Sequence, residues 1–329
     1  MQQFNFFKIL EKDNKELIHS AFISYLLDNN SKFREFLELG NEIFSSSQLE
    51  KQYNHKKEKC RIDIELISED RNHFVFVENK FKSFPYSNQL NKYDRIFKHN
   101  VHSKAKLTKI LLCFDKEIIG FQTEWKIYDY NDIVNFLEEN FNLNDRYDEA
   151  IFINHYHQFL KEYINTYKSY QNNSVSLFNG NLSNDEKFWL RLINSQIVLY
   201  FQTKYNNDLF NFVSNPGNTS TPLLNITPLG WKAKVKEDVL IQFQGRDLKF
   251  YIHSVDKERI KKVIDFCSKR LWDEKLELKK PTKRKEGSCF IFKTRINDVV
   301  INDFSIANIC KTIEGFYENI EEKIIKNYT

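Results

Sequence analysis

The first half of the chain alternates between patterns typical of strands and patterns typical of helices. Residues 61–67 alternate apolar and polar side chains, which is the period-2 pattern of a strand with one polar face. Residues 73–78 are apolar at nearly every position before Glu78, which predicts a strand buried on both faces. Further strands are predicted at residues 49–53, 109–114 and 126–128.

Helical periodicity surrounds these strands. Apolar side chains recur at helical spacing in four segments, residues 15–27, 32–43, 87–99 and 132–141. The resulting order is helix, strands, helix, strand, helix. This order predicts an α/β domain.

The second half of the chain has a different pattern. A long helix is predicted at residues 147–170, and the polar, turn-rich residues 171–183 predict a linker between domains 1–170 and 184–329. The second domain is predicted to be α+β, with no catalytic motif. Its predicted elements are helices at 185–205, 256–271 and from about 304, and strands at 230–235, 239–243, 248–253 and 288–293.

Composition narrows the class of protein. With 41% hydrophobic and 29% charged residues, 8 Gly and 5 Pro, the chain is expected to be folded. It contains no run of about 20 apolar residues and no secretory pattern at the amino terminus, so we expect a cytoplasmic protein without a membrane span. Five widely spaced cysteines without a CxxC pair argue against a disulfide framework and a zinc site.

The distribution of charge is more informative than the net charge of +4. Residues 81–110 contain seven lysines and arginines against one acidic residue, Asp94. A second basic zone covers residues 257–285. Either zone could be an ordinary solvated surface, but the first lies beside the candidate chemistry, which gives it more functional weight.

Three charged residues near the ends of the predicted buried strands form the candidate site. Glu78 and Lys80 are two apart on one strand and therefore share a face, while Asp63 lies on the preceding strand. Two converging carboxylates repel each other, and a hard cation such as Mg²⁺ relieves that repulsion. A cross-strand salt bridge between Asp63 and Lys80 is the structural alternative.

Other common chemistries find no support in the sequence. It contains no GxxxxGK[ST] loop, no GxGxxG after a strand, no HExxH and no GxSxG. Nucleotide-dependent motors and serine hydrolases are therefore disfavoured.

The order of these residues resembles the PD-(D/E)XK nuclease superfamily. Asp63 followed by Glu78-Asn79-Lys80 is similar to its central motif, and Glu16 with His19-Ser20 resembles the E-x-x-H-S helix of a bacterial branch. Downstream, Gln89-Leu90 and Tyr93 resemble the Q-L-x-x-Y helix of that branch. The resemblance covers roughly residues 13–130 and departs at Ile62, where the superfamily often has proline.

The resemblance implies a restriction-endonuclease-like αβββαβ core with a mixed central sheet, followed here by the C-terminal α+β domain. It also implies roles for particular residues. Asp63 and Glu78 would bind the metal, with the Asn79 backbone carbonyl as a third ligand, and Lys80 would be the catalytic lysine. Glu16 would be an outer or second-metal carboxylate, and Gln89 would position Lys80, the water or the phosphate.

Substrate contacts are expected from a further set of residues, for two of which packing is an open alternative. Tyr93 is as readily a packing residue, and His19 is more often a hydrogen-bonded core histidine in such a setting. The set comprises Tyr93, Lys82, Lys92, Arg95 and His19.

These expectations together describe a Mg²⁺-dependent deoxyribonuclease, with Mn²⁺ able to substitute, that acts in bacterial defence or DNA processing. The alternatives are a non-catalytic nucleic-acid-binding module on the same fold and an RNase. The metal site meets only the phosphate, so the sequence does not separate DNA from RNA. The second domain would serve substrate selection, homodimerisation or partner binding.

Overall fold

The chain forms two compact units, Met1–Thr166 and Tyr167–Thr329, in a computed structural model. The structure describes residues 5–9, 16–40, 42–178, 180–205, 209–214, 220–254, 256–269, 288–300 and 303–328. Residues 270–285 of the second basic zone lie outside them. The division falls within a long helix, Asp148–Asn172, and the linker at residues 171–183 stays a prediction.

Among its described residues, the first unit contains five strands and the helices that pack on them. In chain order its elements are α1 Phe6–Ile9, α2 Glu16–Asn29, α3 Ser31–Phe36, β1 Gln48–His55, β2 Glu58–Ile67, β3 His73–Lys80, α4 Ser87–Asn100, β4 Lys106–Cys113, β5 Lys126–Asp129, α5 Tyr130–Asn140 and α6 Asp148–Asn172. All five predicted strands and the α/β character of this unit are confirmed.

The sheet of the first unit is mixed and ordered β1-β2-β3-β4-β5. The first three strands pair antiparallel, whereas β3, β4 and β5 pair parallel. Strand β3 therefore lies at the centre of the sheet, in agreement with its apolar sequence. A parallel strand can follow β3 because α4 carries the chain back across the sheet.

Helix α4 covers one face of this sheet. Its buried residues Leu90, Tyr93, Ile96 and Phe97 recur at intervals of three and four, so they line one side of the helix. Phe97 stacks on Phe76 of β3 with ring centroids 4.0 Å apart. This aromatic contact anchors α4, and with it the residues at the start of the helix, against the central strand.

The opposite face is covered by aromatic side chains from several helices. Phe81 meets Tyr130 of α5 edge to face, and Phe22 of α2 stacks on Tyr156 of α6. Helix α5 begins at a capping box in which Asp129 and Asp132 each bond the other's backbone N–H. The central strand is thereby shielded from water on both faces.

The second unit is an antiparallel sheet with helices. Its sheet is ordered β10-β9-β8-β7-β6, and every adjacent pair is antiparallel. Its elements are α7 Asn184–Tyr205, β6 Phe210–Ser214, β7 Leu223–Pro228, α8 Leu229–Val235, β8 Asp238–Gln244, β9 Asp247–His253, α9 Lys257–Ser268, β10 Ser288–Arg295, α10 Ile296–Val299 and α11 Ile306–Lys323. The predicted α+β class of this unit is confirmed.

The strand predicted at residues 230–235 is wrong, because this segment is helix α8. Alternating lysines suggest a strand there, but Trp231 and Val235 are both buried and lie four residues apart, on one helical face. Lys236, with φ of 59°, ends the helix in the left-handed conformation.

Two other details differ from the prediction. The helix predicted at residues 32–43 ends at Phe36, and positive φ values at Glu38 and Gly40 then turn the chain. Strands β6 and β7 were not predicted. Their apolar positions become a strand pattern only when they pair with each other and with β8.

None of the helices in the part of the chain that the structure describes is long and apolar enough to cross a membrane.

Replacing Phe76 by alanine is expected to destabilise the first unit by about 3–5 kcal/mol, because a fully buried ring is lost beneath α4. Hydrogen exchange of the β3 and α4 amides measures this unit separately from the second. Phe74→Ala is the matched control, since Phe74 lies on the same strand but is only half-buried. Equal acceleration in the two variants would contradict the packing described here.

Candidate active site

The site forms where β2 and β3 separate. Their pairing extends to Ile64 opposite Val77, one residue before Asp63 and Glu78. Beyond that point Asp63 turns toward β3, and its Oδ2 accepts a hydrogen bond of 2.7 Å from the backbone N–H of Asn79. This bond holds Asp63, midway along β2, against the end of β3 that carries Glu78.

An irregularity in β1 lies beside this point. Leu49 pairs with Ile64 and Lys51 with Ile62, and the intervening Glu50 has φ of 57°. A left-handed residue within a strand is uncommon and disturbs the local ladder, a feature found disproportionately near active sites. The edge strand is therefore distorted where Asp63 leaves the β2–β3 pairing.

Glu78 is the most buried charged group of the site, with 1% of its surface exposed. Its Oε1 accepts hydrogen bonds from Lys80 Nζ at 2.6 Å and from Gln89 Nε2 at 2.7 Å. Its Oε2 is buried and has no hydrogen-bond partner among the described residues. Burial is the main cause that raises the pKa of Glu78 to about 8, and the charge of Asp63 adds to it. The ammonium of Lys80 acts in the opposite direction.

Asp63 and Lys80 respond to the same surroundings in different ways. Burial raises the pKa of Asp63 to about 6, although the Asn79 N–H and Lys80 oppose that rise. Burial alone would lower the pKa of Lys80, but the charges of Glu78, Asp63 and Glu16 outweigh it and raise that pKa above its ordinary value. Lys80 is therefore a cation throughout the neutral range.

Asn79 is held from both ends of its side chain. Tyr130 donates a hydrogen bond of 2.7 Å to Asn79 Oδ1, and Asn79 Nδ2 donates one of 3.0 Å to Ser20 Oγ. Glu16, at the start of α2, accepts a hydrogen bond from the Ser83 hydroxyl. The sequence pattern predicts no role in the site for Ser20, Ser83 or Tyr130. The serine of the E-x-x-H-S pattern is a signal that could have indicated Ser20. Tyr130 has no such signal, because it lies far along the chain from the motif.

Gln89 and Tyr93 form a polar link from α4 to the strands. Besides Glu78, Gln89 Nε2 reaches the Tyr93 hydroxyl at 2.9 Å, and that hydroxyl donates to the Arg61 carbonyl at 3.2 Å. Tyr93 is only 7% exposed, and burial raises its pKa to about 12. This placement favours the packing alternative for Tyr93, with its hydroxyl supporting Gln89.

Two expected substrate-binding residues lie in the interior. His19 is fully buried, stacks on Phe81 at 3.7 Å and shares a hydrogen bond of 2.9 Å between Nδ1 and the Tyr156 hydroxyl. Lys82 is 6% exposed and donates a hydrogen bond of 2.7 Å to the Tyr163 hydroxyl. The structure thus places both side chains in the core rather than on a surface that a nucleic acid could reach.

The remaining two expected contacts lie on the outer side of α4. Arg95 is exposed and pairs with Glu58 at 2.8 Å. Lys92 is half-buried, and its charge reaches both Glu58 and Cys60. Lys92 and Arg95 therefore lie on the same side of α4.

The donor set of this site fits a hard divalent cation. The described residues include no cluster of three or more His, Cys, Asp or Glu side chains arranged to hold a metal. Mg²⁺, however, is commonly bound through one or two carboxylates while it retains several waters. Asp63 and Glu78 supply such a pair, and Glu78 Oε2 has no hydrogen-bond partner among the described residues, so it is open to a cation.

A mixed five-stranded sheet that carries a carboxylate pair and a lysine at its centre defines a restriction-endonuclease-like nuclease fold. A family model of the PD-(D/E)XK nuclease superfamily matches residues 4–165, and this region of the chain belongs to that superfamily. The superfamily is typically metal-dependent, and membership suggests phosphodiesterase activity on nucleic acid. Comparisons with curated proteins and with solved structures gave no significant match.

The raised pKa of Glu78 predicts a specific pH dependence of stability. The folded protein holds the Glu78 proton more tightly than the unfolded chain does. The stability that this proton contributes is therefore fully present below about pH 4.5 and is lost as the pH rises through about 8. The slope contributed by Glu78 is at most about 1.4 kcal/mol per pH unit. Thermal unfolding in EDTA from acid to alkaline pH is expected to show this loss in the wild type.

The variant Glu78→Gln is expected to lose this component, because its amide does not titrate. Glu58→Gln is a control at an exposed carboxylate whose pKa is lowered instead. If the wild type and Glu78→Gln gave parallel curves, Glu78 would not be the buried acid described here.

Proposed function

We propose that the protein is a Mg²⁺-dependent nuclease that hydrolyses phosphodiester bonds of DNA. The observation that carries this proposal is Glu78, a buried carboxylate beside Asp63 whose Oε2 has no hydrogen-bond partner in the part of the chain that the structure describes. A buried carboxylate pair that is only partly compensated costs stability, because one oxygen of Glu78 is bonded by Lys80 and Gln89 but the other is not. A cation-binding role accounts for both the burial and the open ligand atom.

The metal would be held by the carboxylates of Asp63 and Glu78 and by the backbone carbonyl of Asn79, and Mn²⁺ offers the same oxygen preference. When bound, such a cation polarises the phosphoryl oxygen and makes water a better nucleophile at neutral pH. Ion binding requires Glu78 in its charged form. Binding near neutral pH is therefore accompanied by release of the proton that burial retains.

Lys80 acts as a fixed positive charge. Its raised pKa keeps it protonated, so it is suited to stabilise negative charge developing on the phosphate and not to accept a proton from water. In the ligand-free site its ammonium is 2.6 Å from Glu78 Oε1 and partly neutralises that carboxylate. This contact fixes the distance between the ammonium and the ligand atoms.

The surrounding residues hold the site in position. Gln89 donates to the same Glu78 oxygen as Lys80, which leaves Oε2 as the open ligand atom. The side chain of Asn79 is clamped by Tyr130 and Ser20, so its backbone carbonyl has a defined direction. Glu16 adds an outer carboxylate whose charge reaches Asp63, Glu78 and Lys80. Such support is what precise placement of reacting groups requires.

DNA as the substrate, and a role in bacterial DNA processing or defence, follow from the resemblance of the motifs. The second unit is proposed to select the substrate or to provide a dimer or partner surface. A non-catalytic module would have no use for a buried carboxylate pair with an open ligand atom, so the catalytic reading is preferred.

The test is cleavage of supercoiled plasmid, linear duplex, single-stranded DNA and RNA with Mg²⁺, Mn²⁺ or EDTA. Asp63→Asn and Lys80→Met are each expected to lower the rate about 100-fold or more, because one removes a ligand and the other a positioned charge. Lys109→Met is the matched control. Lys109 is another poorly exposed, ion-paired lysine, on the adjacent strand β4.

Activity in EDTA, or undiminished activity of Asp63→Asn, would refute the metal-dependent mechanism. Loss of activity in Lys109→Met equal to that in Lys80→Met would show general destabilisation instead of a catalytic effect. Cleavage of RNA without cleavage of DNA would show that the substrate is RNA and would leave the proposed mechanism unchanged.

A further inference from the structure

The basic segment at residues 81–110 does not form one continuous surface. Lys82 is buried against Tyr163, and Lys106 pairs with Glu42 at 3.3 Å. Lys109 is 10% exposed and pairs with Asp94 at 2.8 Å. These three cations are paired or buried within the first unit, so a surface for nucleic-acid phosphates would use the remaining basic residues of the segment together with neighbouring residues of other elements.

Helix α4 and the β1–β2 hairpin together provide such a surface. His99 stacks on His55 with ring centroids 3.7 Å apart and an interplanar angle of 1°. Asn100 Nδ2 donates a hydrogen bond of 3.2 Å to the carbonyl of Asn54. The end of the helix therefore lies directly on the end of the hairpin. We call the following set the hairpin–helix surface: His55, Lys56, Lys92, Arg95 and His99.

The helical members of this surface form a single stripe. Lys92, Arg95 and His99 lie at positions i, i+3 and i+7, which places them on one side of α4 over about 10 Å. Gln89, which contacts Glu78, lies one turn before Lys92. The stripe therefore begins beside the carboxylate site. Its far end, His99, lies about 15 Å along the helix from Gln89, which is the length of about four base pairs.

One carboxylate, Glu58, lies in the middle of this surface. Arg95 Nη2 is 2.8 Å from Glu58 Oε1. The hydrogen bond from Arg95 lowers the pKa of Glu58, and the charges of Lys92 and His55 act in the same direction. An exposed ion pair of this kind contributes little to stability. Stability alone therefore does not explain why Arg95 and Lys92 lie around Glu58.

We propose that the hairpin–helix surface binds a backbone phosphate of the nucleic-acid substrate, and that Glu58 occupies the phosphate position in the free protein. This inference rests on the proposed nuclease function. Arginine binds carboxylate and phosphate through the same planar donors, so the two anions compete for Arg95. Glu58 thereby weakens binding away from the scissile bond, and removal of its charge strengthens it.

The experiment measures binding without cleavage, using the full chain with Asp63→Asn in the presence of Mg²⁺. Fluorescence anisotropy is recorded with a labelled duplex, the matching single strand and an RNA of the same sequence, at salt concentrations from about 50 to 200 mM. The additional substitutions are Arg95→Gln, Glu58→Gln and, as the matched control, Lys161→Gln. Lys161 is an exposed lysine of α6 that also pairs with a glutamate, Glu138, at 2.8 Å.

Arg95→Gln is expected to weaken binding and to reduce the slope of log affinity against log salt by about one, the loss of one phosphate contact. Glu58→Gln is expected to bind several-fold tighter. Lys161→Gln is expected to leave both affinity and slope unchanged. The three nucleic acids show whether the phosphate is read in a duplex or a single strand.

The outcomes separate this inference from the proposed function. If the protein binds nucleic acid but Arg95→Gln and Glu58→Gln behave like Lys161→Gln, the hairpin–helix surface is not used and the inference is wrong. If Glu58→Gln weakens binding, the ion pair only supports the structure, and the inference is again wrong. If nothing binds and the wild type cleaves no substrate, the proposed function fails first.

Discussion

The burial of the Glu78 carboxylate is the physical constraint that the rest of the first unit has to satisfy. Its charge is compensated on one oxygen by Lys80 and Gln89, and its other oxygen has no partner among the described residues. Burying such a group is expensive unless it is paired or binds a cation. The surrounding structure must therefore be rigid enough to hold a group that, without a ligand, favours its protonated form.

That rigidity comes from the two layers that enclose β3. On one side Phe76 and Phe97 attach α4, which carries Gln89 to Glu78. On the other side Tyr130 of α5 and Ser20 of α2 hold the Asn79 side chain, and the Asn79 backbone N–H in turn holds Asp63. Packing and chemistry are thus linked, because the helices that bury the sheet also orient its polar end.

Residues in the same motif have different roles once they are folded. His19 belongs to the E-x-x-H-S pattern yet stacks in the aromatic core, whereas Ser20 beside it bonds a site residue. Tyr93 lies on the buried side of α4 and supports Gln89 through its hydroxyl. Among the basic residues, Lys82 and Lys109 are taken into the interior, and Arg95 remains at the surface beside the β1–β2 hairpin.

The sequence by itself determined the strands of the first unit, most of its helices and the convergence of Asp63, Glu78 and Lys80. These features depend on local periodicity and on neighbouring strands joined by a short turn. Tertiary structure alone decided that Trp231 begins a buried helical face, that Tyr130 reaches Asn79 and that His55 meets His99. Each of these depends on which distant segments pack together, and burial and pairing between such segments leave no periodic signal in either one.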